Sequence, residues 1–218
     1  MITYIRSGAR GQWVGTIDLA SHQQMVLSQD DVLAFRKRGF FMSFKYKHGF
    51  CILRCQPFHI GHDRLIKQMM QECEWGTVLI GSAQESGTHI NPLPYFTRKK
   101  MIQNVWRHRE EYARLQIIPV KDIINVPWNY HVLETIKKEL PDRPKPDIMY
   151  VGDNREYLFF ATDVPNVGLC SRTTQSFPFL SGNMVRDMIA LKDERYKEFV
   201  HQENMELIEK NFYEDGLV

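Results

Sequence analysis

The stretch from Phe50 to Met70 limits what this chain can become more than any other. Phe50-Cys-Ile-Leu53 is a short apolar run of the kind that fills a buried strand, and Gln56-Pro57 turns it. Beyond the turn, Leu65, Ile66, Met69 and Met70 recur at helical spacing, so the strand hands over to a helix. His59 and His62, separated by Ile60 and Gly61, sit at that junction, with Arg54 at the end of the strand. In an open α/β sheet such a junction faces the ligand crevice, and helix N-terminal N–H groups and the helix dipole point into it. Gly61 adds room, because a missing side chain lets a bulky group approach the backbone. A lone histidine here is more readily a cap or a satisfied core group. Two of them around a glycine, behind an arginine, point to a phosphate site.

The remainder of the second part of the chain repeats the strand-to-helix pattern. Trp75–Gly81 reads as a strand, Thr97–Trp106 as a helix, Leu115–Val120 as a strand and Tyr130–Leu140 as a helix ended by Pro141. Asp147–Gly152 is a fourth strand, a fifth falls within Val164–Cys170, Ser181–Leu191 is a helix, and Glu194–Phe212 is helical in pattern. Strands alternating with helices predict an α/β fold, a doubly wound parallel sheet with right-handed crossovers. The strand-end rule then turns Gly81-Ser-Ala-Gln84 toward the same crevice as His59. Ser181 is a candidate N-cap, Gly182 leaves backbone N–H groups accessible, and Arg186 returns to the crevice about one turn later.

Residues 1–48 read differently and form a short N-terminal extension, with residues 49–218 as the sheet domain. Ile2–Asp18 suggests one or two short strands, Ser28-Gln-Asp-Asp31 starts a helix that runs toward Arg36-Lys-Arg38, and Phe40–Lys47 alternates like an edge strand. A packing or oligomer-forming role is the expectation for this extension, which leaves a homo-oligomer among the partners. The net charge of +2, without a long basic run, gives no reason to expect a nucleic-acid polymer. Cys51, Cys55, Cys73 and Cys170 show no metal spacing, no signal peptide opens the chain and no window has transmembrane length. The expectation is a cytoplasmic protein with buried free thiols, away from the membrane.

Arg54-Cys-Gln-Pro-Phe-His-Ile-Gly-His62 resembles the Gly-Arg-Phe-Gln-Pro-Phe-His-x-Gly-His stretch of the nucleotidylyltransferase superfamily, most closely its archaeal-type nicotinamide mononucleotide adenylyltransferases. Class I aminoacyl-tRNA synthetases share the His-Ile-Gly-His tetrad, but this chain is short for one and has no Lys-Met-Ser-Lys-Ser loop. Further stretches are similar to the adenylyltransferases: Gly81-Ser-Ala-Gln84, Asn91-Pro92 with Arg98 and Met101-Ile102, Pro119-Val-Lys-Asp-Ile123 followed by Trp128, Val151-Gly-Asp-Asn154, and Ser181-Gly-Asn-Met-Val-Arg186. The resemblance spans residues 50–212 and implies the Rossmann-like nucleotidylyltransferase fold.

It also implies an activity, the joining of nicotinamide mononucleotide to the AMP part of ATP to give NAD and pyrophosphate, with Mg2+ carried by the nucleotide. His59, His62, Arg54 and Arg186 would be the catalytic groups. ATP would meet Arg54, Gln56, His59, Gly61, His62, Gly152, Asn154, Ser181, Gly182, Asn183 and Arg186. The mononucleotide would meet Gly81, Ser82, Asn91, Arg98 and Trp128, the indole stacking on the pyridinium ring. No protein ligand to the metal is expected. Three positions depart from the family pattern: Leu53 replaces a glycine, Cys55 an aromatic or Met, and Asn183 a Thr or Ser. Transfer to another phosphorylated acceptor (pantetheine phosphate, glycerol phosphate, a flavin), or a nucleotide sensor without turnover, are the competing readings.

Overall fold

The short strands expected near the N-terminus pair with each other. In this computed structural model β1 (Ile2–Ser7) and β2 (Gln12–Ile17) run antiparallel, Ile2 opposite Ile17 and Ser7 opposite Gln12, and β3 (Met25–Val26) pairs with β2. The structure describes these strands together with residues 44–170 and 180–214. The helix expected from Ser28 and the first half of the Phe40–Lys47 strand lie outside the described residues. The chain divides into two compact units, Met1–Ser43 and Phe44–Val218.

In the second unit the strands are β4 (Tyr46–Leu53), β5 (Cys73–Ile80), β6 (Leu115–Pro119), β7 (Ile148–Val151) and β8 (Asn166–Leu169). Between them lie α1 (Ile60–Glu72), α2 (Tyr95–Trp106), α3 (Trp128–Glu139) and the single turn α4 (Asn154–Tyr157), and α5 (Gly182–Ala190) follows β8. Tyr46 and Lys47 already belong to β4, so the sheet takes in residues upstream of position 49. All five strands are parallel, in the order β6-β5-β4-β7-β8. The chain winds outward from β4 through β5 to β6, then returns to the other side of β4. The switch point therefore falls between β4 and β7, where strand ends part and leave a crevice.

The strands are apolar on both faces because both faces are covered. Cys51, Leu53, Val78, Ile80, Ile117 and Tyr150 point into one core with Leu65, Ile66 and Met69 of α1, Met101, Ile102 and Val105 of α2, and Val185 and Ile189 of α5. Phe50, Leu79, Ile118, Met149 and Val151 point the other way, against Val132 and Ile136 of α3 and against Phe160 and Val164. The alternation along Phe50, Cys51, Ile52 and Leu53 is the two-residue period of a strand between two layers.

The tail departs from the continuous helical pattern. It is broken into 3-10 turns at Glu194–Glu198 and Gln202–Asn204, one α turn at Met205–Ile208 and a π turn at Glu209–Glu214. The breaks let its polar groups reach neighbours. Ile60 donates its amide to the Phe199 carbonyl at 2.9 Å, and Asn204 donates to Met101 O at 3.1 Å. Tyr196, Phe199, Ile208 and Phe212 are buried in the first core.

Within β4, His48 is fully buried, its ring held between Pro144 O (2.6 Å, Nδ1) and the Thr77 hydroxyl (2.8 Å, Nε2). Burial pushes this imidazole below its ordinary range, so the folded chain keeps it neutral where an unfolded chain takes up a proton. Protons therefore favour the unfolded state as pH falls below about 6.5, and stability drops with acidification there. His48→Gln, which cannot titrate, is expected to flatten the dependence of the melting temperature on pH between 7 and 5.

Candidate active site

The carboxyl ends of β4, β5 and β7 and the start of α5 enclose a cavity of about 660 Å³. Arg54, His59, Gly61 and His62 line it from the first junction, Gly81 and Ser82 from the second, Gly152 from the third, and Ser181 and Gly182 from the amino end of α5. Residues more than a hundred positions apart thus share one wall, as the switch-point topology requires.

His59 is the N-cap of α1. Its Nδ1 accepts the Gly61 amide at 3.1 Å, while the His59 amide donates to His62 Nδ1 at 3.4 Å, a reciprocal capping box built from two imidazoles. The rings stack with centroids 3.6 Å apart and planes 19° apart. An imidazole whose Nδ1 accepts carries its proton on Nε2, so this arrangement fixes the tautomer of both rings and makes each Nε2–H a donor. A Cβ on Gly61 would come within 3.0 Å of the His59 ring and 3.4 Å of Leu180, which is why the space between the histidines is a glycine.

The amide donors are divided unevenly between the two helices. At α1 they are consumed: Ile60 N by Phe199 O, Gly61 N by His59 Nδ1, and the His62 and Asp63 amides by His59 O. The expectation that this tip offers amides to phosphate is therefore corrected, since the chain itself occupies them. At α5, Ser181 Oγ accepts from the Met184 amide at 3.2 Å, and Gly182 and Asn183, at the first two helical positions, have no amide acceptor among the described residues. The positive end of the α5 dipole, at Ser181 and Gly182, and the His59 and His62 imidazoles thus line one cavity.

Several residues expected at the ligand lie outside the cavity lining. Arg98 is fully buried, and its guanidinium donates to Arg54 O (3.0 Å), Gly81 O (2.7 Å) and Ser82 O (3.0 Å), tying the ends of β4 and β5 together. Cys55 and Ser82 beside these carbonyls take left-handed backbone, φ 52° and 48°, which non-glycine residues adopt only when their surroundings hold them there. Gln56 is buried and bonds the Leu93 backbone through both ends of its amide. Asn91 is buried and donates to Glu85. None of the three is among the residues that line the cavity, and each bonds within the protein.

Arg186 likewise points back from the cavity. It donates to Gln56 O at 2.7 Å and to Asn183 Oδ1 at 2.8 Å, and burial lowers its guanidinium pKa. A Cβ on Gly182 would lie 2.9 Å from that same Gln56 oxygen. The turn after β4 and the tip of α5 are therefore locked together through one carbonyl, which sets the distance between imidazoles and amides. Asn183 serves this lock through its side chain. Asn154 is exposed in α4, whose N-cap is Asp153, and it does not line the cavity.

Trp128, half-buried at the start of α3, does line the cavity. So does Leu53, the residue at the family's glycine position, and so do residues not expected at the site: Asp122, Ile123, Glu156, Phe159, Phe160, Cys170 and Leu180. Applying the strand-end rule to β6 and β8 finds Asp122, Ile123 and Cys170. Glu156 sits in the single turn α4 and Phe159 in the turn after it, a stretch too short for periodicity to mark. Leu53 is 8% exposed and belongs to the core as well as the cavity wall, so it fills the volume a glycine would leave.

Comparison with known proteins gives the same direction. The Cytidylyltransferase-like family matches residues 54–164, just over half of the chain. The nicotinamide-nucleotide adenylyltransferase of Methanospirillum hungatei JF-1 is 31% identical over 151 residues, covering 67% of this chain and 78% of that protein. That of Thermoplasma volcanium is 34% identical over 112 residues, covering 51% and 58%. The chain spans about half the length of several curated relatives it matches, 58%, 47% and 57% for three of them. Among solved structures, the fold is similar to a bifunctional NMN adenylyltransferase/ADP ribose pyrophosphatase from Francisella tularensis (TM-score 0.56, 19% identity, 67% of this chain and 43% of that one). It is also similar to the Plasmodium falciparum nicotinic acid mononucleotide adenylyltransferase (TM-score 0.54, 14% identity, 80% and 100%). At those identities the likeness is one of fold.

Proposed function

From the premise that this chain belongs to the cytidylyltransferase-like family of nucleotidylyltransferases, we propose that it joins nicotinamide mononucleotide to the AMP part of ATP, giving NAD and pyrophosphate. The observation that carries this reading is the placement of the His59–His62 pair and the α5 tip on one cavity. A phosphate oxygen of the mononucleotide attacks the α-phosphorus of ATP, the bond from that phosphorus to the α,β-bridging oxygen breaks, and pyrophosphate leaves with the electron pair. The attacking group is already an oxyanion, so no side chain needs to be the nucleophile. What the chain supplies is alignment and charge stabilisation. His59 and His62 donate from Nε2 to phosphate oxygens, the Gly182 and Asn183 amides meet the β- and γ-phosphates, and Arg54 at the cavity wall faces the departing charge. Arg186 and Arg98 hold the parts in register.

Among the described residues no three His, Cys, Asp or Glu side chains converge as a metal site, and the cavity's own carboxylates are Asp122 and Glu156. That donor set fits a Mg2+ ion that arrives on the triphosphate, held by its oxygens and by water. When bound, the ion neutralises phosphate charge. Among the described residues no helix is long and apolar enough to cross a membrane. Four free cysteines, three of them buried, suit the reducing cytoplasm we propose for it.

The test is pyrophosphate release from ATP with each acceptor side by side: nicotinamide mononucleotide, nicotinate mononucleotide, pantetheine phosphate, glycerol phosphate and flavin mononucleotide. The pyridine mononucleotides are expected to support turnover and the others to fail. Trp128→Ala is expected to raise KM for the mononucleotide about tenfold, the loss of one stacking contact, with KM for ATP unchanged. Turnover with a different acceptor, or equal KM in the variant, contradicts the reading.

A further inference from the structure

Behind the two site histidines the rings continue. Phe58, fully buried, lies with its centroid 5.9 Å from His62 at 19°, and His201 lies 5.8 Å from it, also at 19°. His201 comes from the tail. Its Nε2 is buried without a hydrogen-bond partner in the described structure, and the polar group it faces is Asp63 Oδ2 at 3.5 Å. Asp63 follows His62 directly on α1, and Arg109 grips its carboxylate with both ends of the guanidinium, at 2.9 and 3.1 Å. Arg109 in turn lies over the Trp106 ring at 4.3 Å, at the end of α2. Two residues before His201, the Phe199 carbonyl takes the first amide of α1.

We propose that His201 is a positioning residue for the imidazole pair. With its Nε2 set 3.5 Å from the carboxylate of the Asp63–Arg109 ion pair, its ring stacks on Phe58, and Phe58 stacks on His62. The chemistry of the cluster supports this role over simple filling. A spacer at this point needs only apolar atoms, whereas here a buried ring nitrogen is aimed at a carboxylate that a bidentate arginine already holds still. The tail thereby does two things to one junction: it takes the Ile60 amide of the α1 tip and fixes the plane of the ring that must donate. A donor displaced by an ångström loses much of its effect on a phosphoryl transition state.

The proposal rests on reading His59 and His62 as phosphate donors, so its test has one arm that needs no reaction. The imidazole nitrogen resonances of His62 are recorded by NMR without substrate in the wild type, His201→Ala and His201→Phe, beside pyrophosphate release and melting curves. In His201→Ala the His62 signals are expected to move, with kcat about tenfold lower and KM for ATP within about twofold. His201→Phe keeps a ring against Phe58 and is expected to return the signals and bring kcat within about threefold of wild type. Unmoved His62 signals in His201→Ala overturn the proposal, as does equal impairment of both variants with the same loss of melting temperature. If the wild type makes no pyrophosphate, the activity reading fails while the resonances still decide the positioning role.

Discussion

His62→Ala is expected to keep the fold and lose about 10²–10³ in kcat, the usual cost of removing one preorganised donor from an oxyanion site. The ring contributes three things that alanine lacks: the Nε2–H donor, the stacked neighbour of His59 at 3.6 Å, and the acceptor for the His59 amide at 3.4 Å. The hydrogen bond is long and sits at a helix cap, worth about 1 kcal/mol at most, and the half-buried ring's contacts with His59 and Phe58 add about 1 kcal/mol more. Turnover and stability therefore separate. Steady-state pyrophosphate release combined with a urea melt checks this, the expected pattern being a collapse in kcat with a modestly lowered midpoint. His59→Ala should differ in kind, because its ring also accepts the Gly61 amide at the cap.

Arg98→Met is expected to act through stability. Its guanidinium serves three backbone carbonyls in a fully buried position, and methionine, of similar length, has nothing to donate. Each buried acceptor left unpaired costs about 1–3 kcal/mol, so a loss of about 3 kcal/mol or more follows even if some carbonyls recover a water from the cavity. The left-handed turns at Cys55 and Ser82 also lose the group that holds their flanking carbonyls. Both strand ends then relax together, and what activity remains falls with them. A urea melt should show a midpoint well below wild type, and Arg98→Lys, able to reach fewer of the three oxygens, should recover only part of it. A midpoint equal to wild type would mean that the three carbonyls are satisfied in another way.

The sheet was readable because its strands obey local rules. Phe50–Leu53 and Ile148–Val151 are short apolar runs between turn residues, and helices at 3.6-residue spacing lie between such runs, so a parallel sheet covered on both faces is the consistent outcome. The site was readable where one short segment carries its own geometry, as His59-Ile-Gly-His62 does. It was less so where a residue's partner lies far along the chain. Nothing local distinguishes an arginine that meets a phosphate from one that meets backbone carbonyls, so the bonds of Arg98 and Arg186 to the Gly81 and Gln56 carbonyls could not be read from the sequence. The same holds for the tail. Its apolar spacing is helical, but contacts with Ile60 and Met101 outweigh the continuity of a helix whose isolated hydrogen bonds are worth little. Asp63 and His201 sit at unremarkable positions in their segments, and only the folded chain brings them within 3.5 Å of each other.

The proposed reaction depends most on two ring nitrogens and a helix tip meeting one triphosphate. Titrating the protein with ATP and Mg2+ while following the imidazole N–H resonances of His59 and His62 tests this without requiring turnover. Both Nε2–H signals are expected to shift downfield together, with the Gly182 and Asn183 amides, at the concentration where calorimetry shows the nucleotide to bind. Saturation by ATP with those four signals unmoved would contradict it.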